Sequence, residues 1–152
     1  MRIGLGQYDA CYNKDSSFYL GGILFSADPG KKPDDQMDLL VYSIADALLG
    51  AVAKGGIKNY LDKDKAANSE IIQKIERDIY YTGYKIGNID VSISTSIQEI
   101  EKKMNAMHSQ LVSWLFLKSE QLNLKISLLK HGESDHNHQI KIIASVLLNK
   151  RS

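Results

Sequence analysis

The sequence predicts an α+β fold, an α/β sandwich in which helices cover one face of a mixed sheet. Apolar residues at every second position near residues 89–93, 122–128 and 140–148 are typical of strands. Apolar residues three and four positions apart near residues 37–53, 68–82 and 97–117 are typical of helices. Because these segments interleave along the chain, the helices are expected to pack on the sheet.

The composition indicates one domain, residues 1–152, of a soluble intracellular protein. A formal net charge of +1 on 152 residues creates no strong field that would favour nucleic acid or an anionic membrane. The single cysteine, Cys11, excludes an internal disulfide and fits a reducing compartment. The N-terminus carries no apolar signal core, and no apolar run approaches the roughly 18–20 residues that cross a bilayer. We therefore expect a cytoplasmic protein with neither a membrane nor a nucleic-acid partner.

The first third of the chain predicts strand structure followed by a helix. Apolar residues around Gly21-Gly22 in the segment 18–25 indicate a strand with a bend. Both prolines fall in the turn-rich loop 28–35. The helix predicted at 37–53 is expected to be capped by Asp34 or Asp35 and to end at Gly55-Gly56. Its apolar stripe comprises Leu40, Ile44, Ala47, Leu48 and Ala51.

Two further helices carry apolar stripes. The first is expected to start near Asn68-Ser69, both favourable N-cap residues, and to stop before Gly83. The second is expected to run from about Ile97 to Leu117. The stripes comprise Ile71, Ile72, Ile75 and Ile79 in the first helix, and Ile100, Met104, Met107, Leu111, Trp114 and Leu115 in the second.

Four stretches of this chain resemble a known scaffold: residues 1–4 (Met-Arg-Ile-Gly), Gly21-Gly22, residues 46–51 (Asp-Ala-Leu-Leu-Gly-Ala) and residues 83–91. Together they are similar to the 2-C-methyl-D-erythritol 2,4-cyclodiphosphate synthase family, zinc-dependent cyclases of the non-mevalonate isoprenoid pathway. The resemblance covers nearly the whole chain with almost constant spacing. It implies a homotrimer with the sheets facing the three-fold axis, and nucleotide or isoprenoid diphosphate as possible ligands.

The positions at which the family binds zinc differ in this chain. The resemblance places the family's Asp-x-His pair at Tyr8 and Ala10, and its helix histidine at Tyr42. Alanine cannot bind a metal, and neutral tyrosine is a poor zinc ligand, so no metal is expected there. A register shifted by one residue would instead bring Asp9 and Cys11 onto the pair, and cysteine thiolate is a strong zinc ligand.

Acidic residues occupy further family positions with candidate catalytic roles. The family's His-Ser-Asp-Gly-Asp reads Asp-Asp-Gln-Met-Asp at residues 34–38, so Asp34 replaces the substrate-orienting histidine and Asp38 matches. Asp34 also suits helix capping. Asp46 matches the family as well and suits packing or capping as readily as catalysis. Asp62 and Asp64 resemble an acidic family loop over the substrate.

The nucleotide and magnesium positions also depart from the family pattern. The family's ribose-contacting Asp-Ile-Gly becomes Gly56-Ile57-Lys58, and its cytosine-pocket stretch Ala-Pro-Lys-Met becomes residues 97–100, Ile97, Gln98, Glu99 and Ile100. The Thr-Thr-Glu-Lys segment that supports a second divalent ion becomes residues 127–130. Leu129 cannot coordinate magnesium, which takes oxygen ligands, whereas Ser127 and Lys130 could still contact phosphate.

A histidine-rich segment at residues 131–138 has no counterpart in that pattern. His136 and His138 would point to one face of a strand and could chelate a metal, or the segment is a polar loop before the last strand. The replaced ligands predict a catalytically degenerate family member that needs no metal cofactor and acts by binding. The alternative is an active cyclase that releases CMP, with zinc and magnesium held by a rebuilt site that uses Asp9, Cys11 and Asp38, or the cluster with His136 and His138.

Overall fold

The computed structural model describes residues 1–28, 30–33, 37–61, 67–130 and 137–152. Its main sheet has four strands in the order β1 (Arg2–Asn13), β6 (Asn137–Lys150), β4 (Tyr84–Thr95) and β5 (Leu122–Leu128). The β1–β6 and β6–β4 pairs are antiparallel and the β4–β5 pair is parallel, so the sheet is mixed as predicted. A separate hairpin pairs β2 (Phe18–Leu20) with β3 (Ile23–Phe25).

Helices line one face of the main sheet. They are α1 (Leu39–Ala51), α2 (Ile57–Tyr60), α3 (Asn68–Tyr81), α4 (Gln98–Lys102) and α5 (Met104–Trp114), and a short 3-10 turn at Ser119–Gln121 leads into β5. The alternate residues Ile140, Ile142, Ala144, Val146 and Leu148 of β6 are buried beneath them, and the residues between are exposed or partly exposed. This confirms the predicted architecture of one covered face and one open face.

The close approach of α1 to β1 depends on two glycines. A Cβ at Gly4 would lie 1.8 Å from the Ala47 carbonyl oxygen, and one at Gly6 would lie 1.9 Å from the Ser43 carbonyl oxygen. The backbone of the strand therefore rests directly on the helix, and any side chain at these positions would force the two elements apart. The same face of β1 continues through Tyr8 and Ala10, which brings them beside α1.

The predicted bend at Gly21-Gly22 is the turn of the β2–β3 hairpin, where both glycines have positive φ. The predicted N-caps of the first two helices were wrong. The cap of α1 is Asp38, not Asp34 or Asp35, and Ala67 precedes α3 without a side-chain cap bond. Asp38 takes that place because the same carboxylate also reaches the hairpin turn, a contact that local sequence does not reveal.

Two helix boundaries also differ from prediction. Helix α1 ends at Ala51, before Gly55-Gly56, and Ala53 adopts the left-handed conformation with φ 59°. The single helix predicted from Ile97 to Leu117 is divided at Lys103 into α4 and α5. Around the break the N–H groups of Ile100 and Lys103 bond to carbonyls three residues earlier, a tighter turn that lets both Ile100 and Met107 reach the core.

Candidate functional site

Two aromatic rings occupy positions at which the family resemblance places zinc ligands. Tyr8 on β1 and Tyr42 on α1 meet edge to face, with ring centroids 5.9 Å apart and an interplanar angle of 77°. Ala10 lies on the same face of β1 and is partly buried. We refer to Tyr8, Ala10, Tyr42 and Asp46 as the Tyr8 cluster.

Asp46 joins three elements of this cluster. Its carboxylate accepts the Ile57 N–H at 2.6 Å and a hydrogen bond from the Tyr8 hydroxyl. A Cβ at Gly56 would lie 3.2 Å from the same carboxylate oxygen, so glycine allows the start of α2 to approach closely. One side chain of α1 thereby fixes both β1 and the N-terminus of α2.

The Tyr8 phenol is held in its neutral form. The pKa of Tyr8 is raised from 10.0 to about 12, and burial is the largest cause. The negative charge of Asp46, the hydrogen bond to Asp46 and the neighbouring Tyr42 raise it further. A zinc ligand of this type would have to ionise. The cluster therefore opposes the ionisation of Tyr8 that zinc binding would require.

The donor set of the Tyr8 cluster does not fit zinc. It offers two neutral phenols, one methyl group, and a carboxylate that already accepts two hydrogen bonds. Across the parts of the chain that the structure describes, no group of three His, Cys, Asp or Glu residues lies close enough to hold a metal ion. No catalytic step can be derived through a metal at this position.

The alternative ligands are not brought together with Tyr42. Asp9 and Cys11 are exposed on the open face of the sheet, because successive residues of β1 alternate between faces and Tyr8 and Ala10 face α1. Cys11 pairs across the sheet with Gln139, and Tyr12 pairs with His138. His136 lies outside the described residues. Within one chain, Asp9 and Cys11 therefore lie on the opposite side of the sheet from the family metal position.

Asp38 is a structural carboxylate. It is fully buried and accepts four backbone N–H groups, from Gly21 at 3.0 Å, Gly22 at 2.8 Å, and Leu40 and Val41 at 3.1 Å each. Burial raises the pKa of Asp38, and the four donors oppose that rise. Because its acceptors face the hairpin turn and the N-terminus of α1, this side chain is not presented to a substrate. Asp34 lies outside the described residues, as do Asp62 and Asp64.

Three backbone donors at the nucleotide-pocket positions are engaged in internal hydrogen bonds. The Ile97 N–H donates to the Thr95 hydroxyl at 3.1 Å, the Ile100 N–H to the Ile97 carbonyl at 3.3 Å, and the Ile57 N–H to Asp46. Ile100 is fully buried, and Lys58, Gln98 and Glu99 are exposed. Glu99 forms an ion pair with Lys102 at 2.9 Å. Recognition of a nucleotide through the N–H groups of Ile57, Ile97 or Ile100 would require these internal bonds to break.

Ser127 and Lys130 lie at the far edge of the sheet from the Tyr8 cluster. Both are exposed at the end of β5, where the Leu129 N–H donates to the Thr95 carbonyl at 2.7 Å. Strands β6 and β4 separate β5 from β1, so the two edges are roughly 14 Å apart. One chain does not combine these positions into one site.

The model of the YgbB family matches residues 1–149 of this chain. The chain belongs to the YgbB family. Its relatives include a 2-C-methyl-D-erythritol 2,4-cyclodiphosphate synthase from Pseudomonas syringae, 31% identical over 97% of this chain and 98% of the relative. Another, from Buchnera aphidicola, is 34% identical over 82% of this chain and 78% of the relative. The predicted family, a family of the non-mevalonate pathway, is confirmed.

Solved structures confirm the fold. A structure of IspF from Plasmodium falciparum in complex with CDP superposes with a TM-score of 0.82 at 22% identity, covering 99% of this chain and 97% of that one. A CDP-bound 2C-methyl-D-erythritol-2,4-cyclodiphosphate synthase gives a TM-score of 0.80 at 20% identity, covering 97% of this chain and all of that one, 100%. Within the described residues of this YgbB-family chain, no helix is long and apolar enough to span a membrane.

The described residues also form a cavity that sequence reasoning missed. It has a volume of about 270 Å³ and lies between the β2–β3 hairpin, the loop before β2, the start of α4 and the start of β6. It gathers Ile97, Glu99 and His138, which the sequence had suggested for other roles, with the unpredicted Lys14, Phe18, Phe25 and Lys103. The aromatic residues flanking Gly21-Gly22 were the available signal. We call this space the hairpin cavity.

Proposed function

We propose that this chain is a trimeric, catalytically degenerate homologue of the cyclodiphosphate synthases that acts in the cytoplasm by binding. The observation that carries the proposal is the Tyr8 cluster. Its hydrogen bonds from Tyr8 and Ile57 to Asp46 satisfy internally the groups that surround the family metal position. The scaffold is retained while the ligands are replaced.

The chemistry of the family explains why this replacement matters. The resemblance implies attack of a phosphate oxygen on a diphosphate phosphorus with loss of CMP, which concentrates negative charge. Divalent ions neutralise that charge, and each ~1.4 kcal/mol of lost transition-state stabilisation lowers the rate tenfold. Phenols and a carboxylate supply no positive charge. We infer that the rate of cyclisation falls by many orders of magnitude.

The open face of the sheet supports assembly with copies of the same chain. Ile3 and Leu5 on β1 are 78% and 66% exposed, and Ile143 on β6 is 38% exposed. Such a patch on a sheet that helices cover only on its other side needs a partner surface. In a trimer with the sheets facing the axis, the β1 edge of one protomer and the β5 edge of the next could form a shared cleft.

An activity assay tests the proposal directly. The chain, supplied with zinc and magnesium and with the family's substrate, is expected to release CMP no faster than a no-enzyme control. The Pseudomonas syringae relative serves as the positive control under the same conditions. CMP release above background that depends on added metal would contradict the proposal.

A binding assay tests the second half of the proposal. An increase in melting temperature with CDP or with an isoprenoid diphosphate would identify a ligand between subunits. No increase with either compound would favour a protein partner, such as an active copy of the enzyme. A chain that binds neither ligand nor partner would be a purely structural oligomer, which would contradict the binding role.

A further inference from the structure

The hairpin cavity combines an apolar wall with an aromatic stack. Phe18 and Phe25 stack with ring centroids 5.3 Å apart and 13° between planes, and Tyr12 stacks on Phe18 at 4.7 Å and 16°. Phe18 and Phe25 are 5% and 8% exposed, so they form the base of the cavity, and Leu24 lies over it with 37% of its surface exposed. The wall suits the apolar part of a ligand.

Positive charge is concentrated at the same cavity. Lys14, from the loop before β2, and Lys103, from the junction of α4 and α5, both line it. Glu99 also lines it and forms an exposed ion pair with Lys102 at 2.9 Å, which reduces its negative charge at the cavity only in part. Among the described residues, neither Lys14 nor Lys103 forms an ion pair. The lining therefore carries two lysines that form no ion pair with a described carboxylate, and one carboxylate, Glu99, that is paired with a lysine outside the lining.

We propose that the hairpin cavity binds a small organic phosphate with a flat apolar body. Two lysines match the charge of a phosphomonoester, which is about −1.5 to −2 at neutral pH. Lysine acts on phosphate as a point charge and imposes little geometry, which suits a site built from two separate elements. A volume of about 270 Å³ lies slightly below the usual range for drug-sized ligands, so the ligand is one ring with its phosphate.

This site overlaps the nucleotide-pocket stretch at residues 97–100 only in part. Ile97 and Glu99 contact the cavity, but Gln98 and Ile100 are not part of its lining. Both lysines and the aromatic base come from segments outside that stretch. The site is also independent of the Tyr8 cluster, so the inference stands whether or not the chain retains cyclase activity.

Calorimetric titration of the full chain with phenyl phosphate tests the inference. Saturable binding is expected, and Lys14→Gln or Lys103→Gln should each weaken it about tenfold, as loss of a charge-assisted hydrogen bond does. Lys118→Gln is the matched control, because Lys118 is exposed outside the cavity and should leave affinity unchanged. Leu24→Ser should weaken binding without unfolding the chain, since Leu24 is already 37% exposed.

Two further probes separate binding of the phosphate group from binding of the apolar ring. Inorganic phosphate should bind at least tenfold more weakly than phenyl phosphate because it cannot use the apolar wall. Benzyl alcohol should bind weakly and be unaffected by the lysine variants. Equal affinity for inorganic phosphate, or phenyl phosphate binding that neither lysine variant weakens, would overturn the proposal. A CMP-release assay that proves positive would leave it intact, so the two proposals fail separately.

Discussion

The Tyr8 hydroxyl donates a hydrogen bond to the Asp46 carboxylate, which also accepts the Ile57 N–H at 2.6 Å. This pair connects the middle of β1 to the N-terminus of α2 through one side chain of α1. The family resemblance implies a metal ion between β1 and α1 at this place. Here hydrogen bonds between protein groups make the connection, and their strength can be measured.

Removing the Tyr8 hydroxyl should loosen α2. Tyr8→Phe is expected to lower the free energy of unfolding by about 1–3 kcal/mol, as expected for a partly buried hydrogen bond to a charged acceptor. Hydrogen exchange at the Ile57 amide should accelerate at the same time. Tyr81→Phe is the control, since Tyr81 is 76% exposed. If Asp46→Asn costs the same with and without Tyr8→Phe, the two residues are not coupled.

Alkaline pH should weaken the fold through Tyr8. The phenol has an ordinary pKa of 10.0 in the unfolded chain and a pKa of about 12 in the folded chain. The contribution of Tyr8 to the free energy of unfolding is therefore complete below pH 10. It disappears as the pH rises through about 12, because the phenol of the unfolded chain releases its proton first. Urea unfolding between pH 8 and 11 should show a steeper loss for the parent chain than for Tyr8→Phe. Equal slopes would contradict the raised pKa.

Asp38 should be among the most sensitive residues for stability. Asp38→Ala leaves the N–H groups of Gly21, Gly22, Leu40 and Val41 without their acceptor, and it is expected to cost more than about 3 kcal/mol. Urea or thermal unfolding measures the loss. Asp15→Ala is the control, because Asp15 is exposed in the loop that follows β1. It should change the free energy of unfolding by less than about 0.5 kcal/mol. A comparable effect of the two substitutions would show that the Asp38 hydrogen bonds contribute little.

Restoring the family ligands should restore metal binding. The triple variant Tyr8→Asp, Ala10→His, Tyr42→His places three zinc-binding side chains on the retained strand and helix. After incubation with zinc and desalting, the variant should retain about one ion per chain, whereas the parent chain should retain none. Elemental analysis measures both. A variant that folds but stays free of zinc would show that β1 and α1 no longer hold the family geometry.

The open sheet face should control assembly. Leu5→Asp is expected to reduce the particle mass from about three times 17.0 kDa towards the single chain, because Leu5 is 66% exposed on that face. Phe116→Asp is the matched control: Phe116 is 72% exposed but lies after α5, away from the sheet face. Light scattering after size exclusion measures both variants. A parent chain that is already monomeric would refute the trimer.

Much of the fold followed from local pattern. The strand expected at residues 122–128 is β5, and the helix expected to start near Asn68 and stop before Gly83 is α3. The division of the third helix at Lys103 was missed because its apolar stripe continues through the break. The hairpin cavity was missed because Lys14 and Lys103 lie far apart in sequence and line one cavity only in the folded chain.

The sequence by itself determined the scaffold: the strand and helix periods, the glycine pair of the hairpin turn, and the family to which the chain belongs. These features depend on local geometry and on residue size, which a sequence states directly. The tertiary structure alone decided the roles of Asp38 and Asp46. Asp38 satisfies the hairpin turn and Asp46 holds Tyr8 and Ile57, because a carboxylate's role depends on which donors surround it, and those donors come from segments distant in the chain.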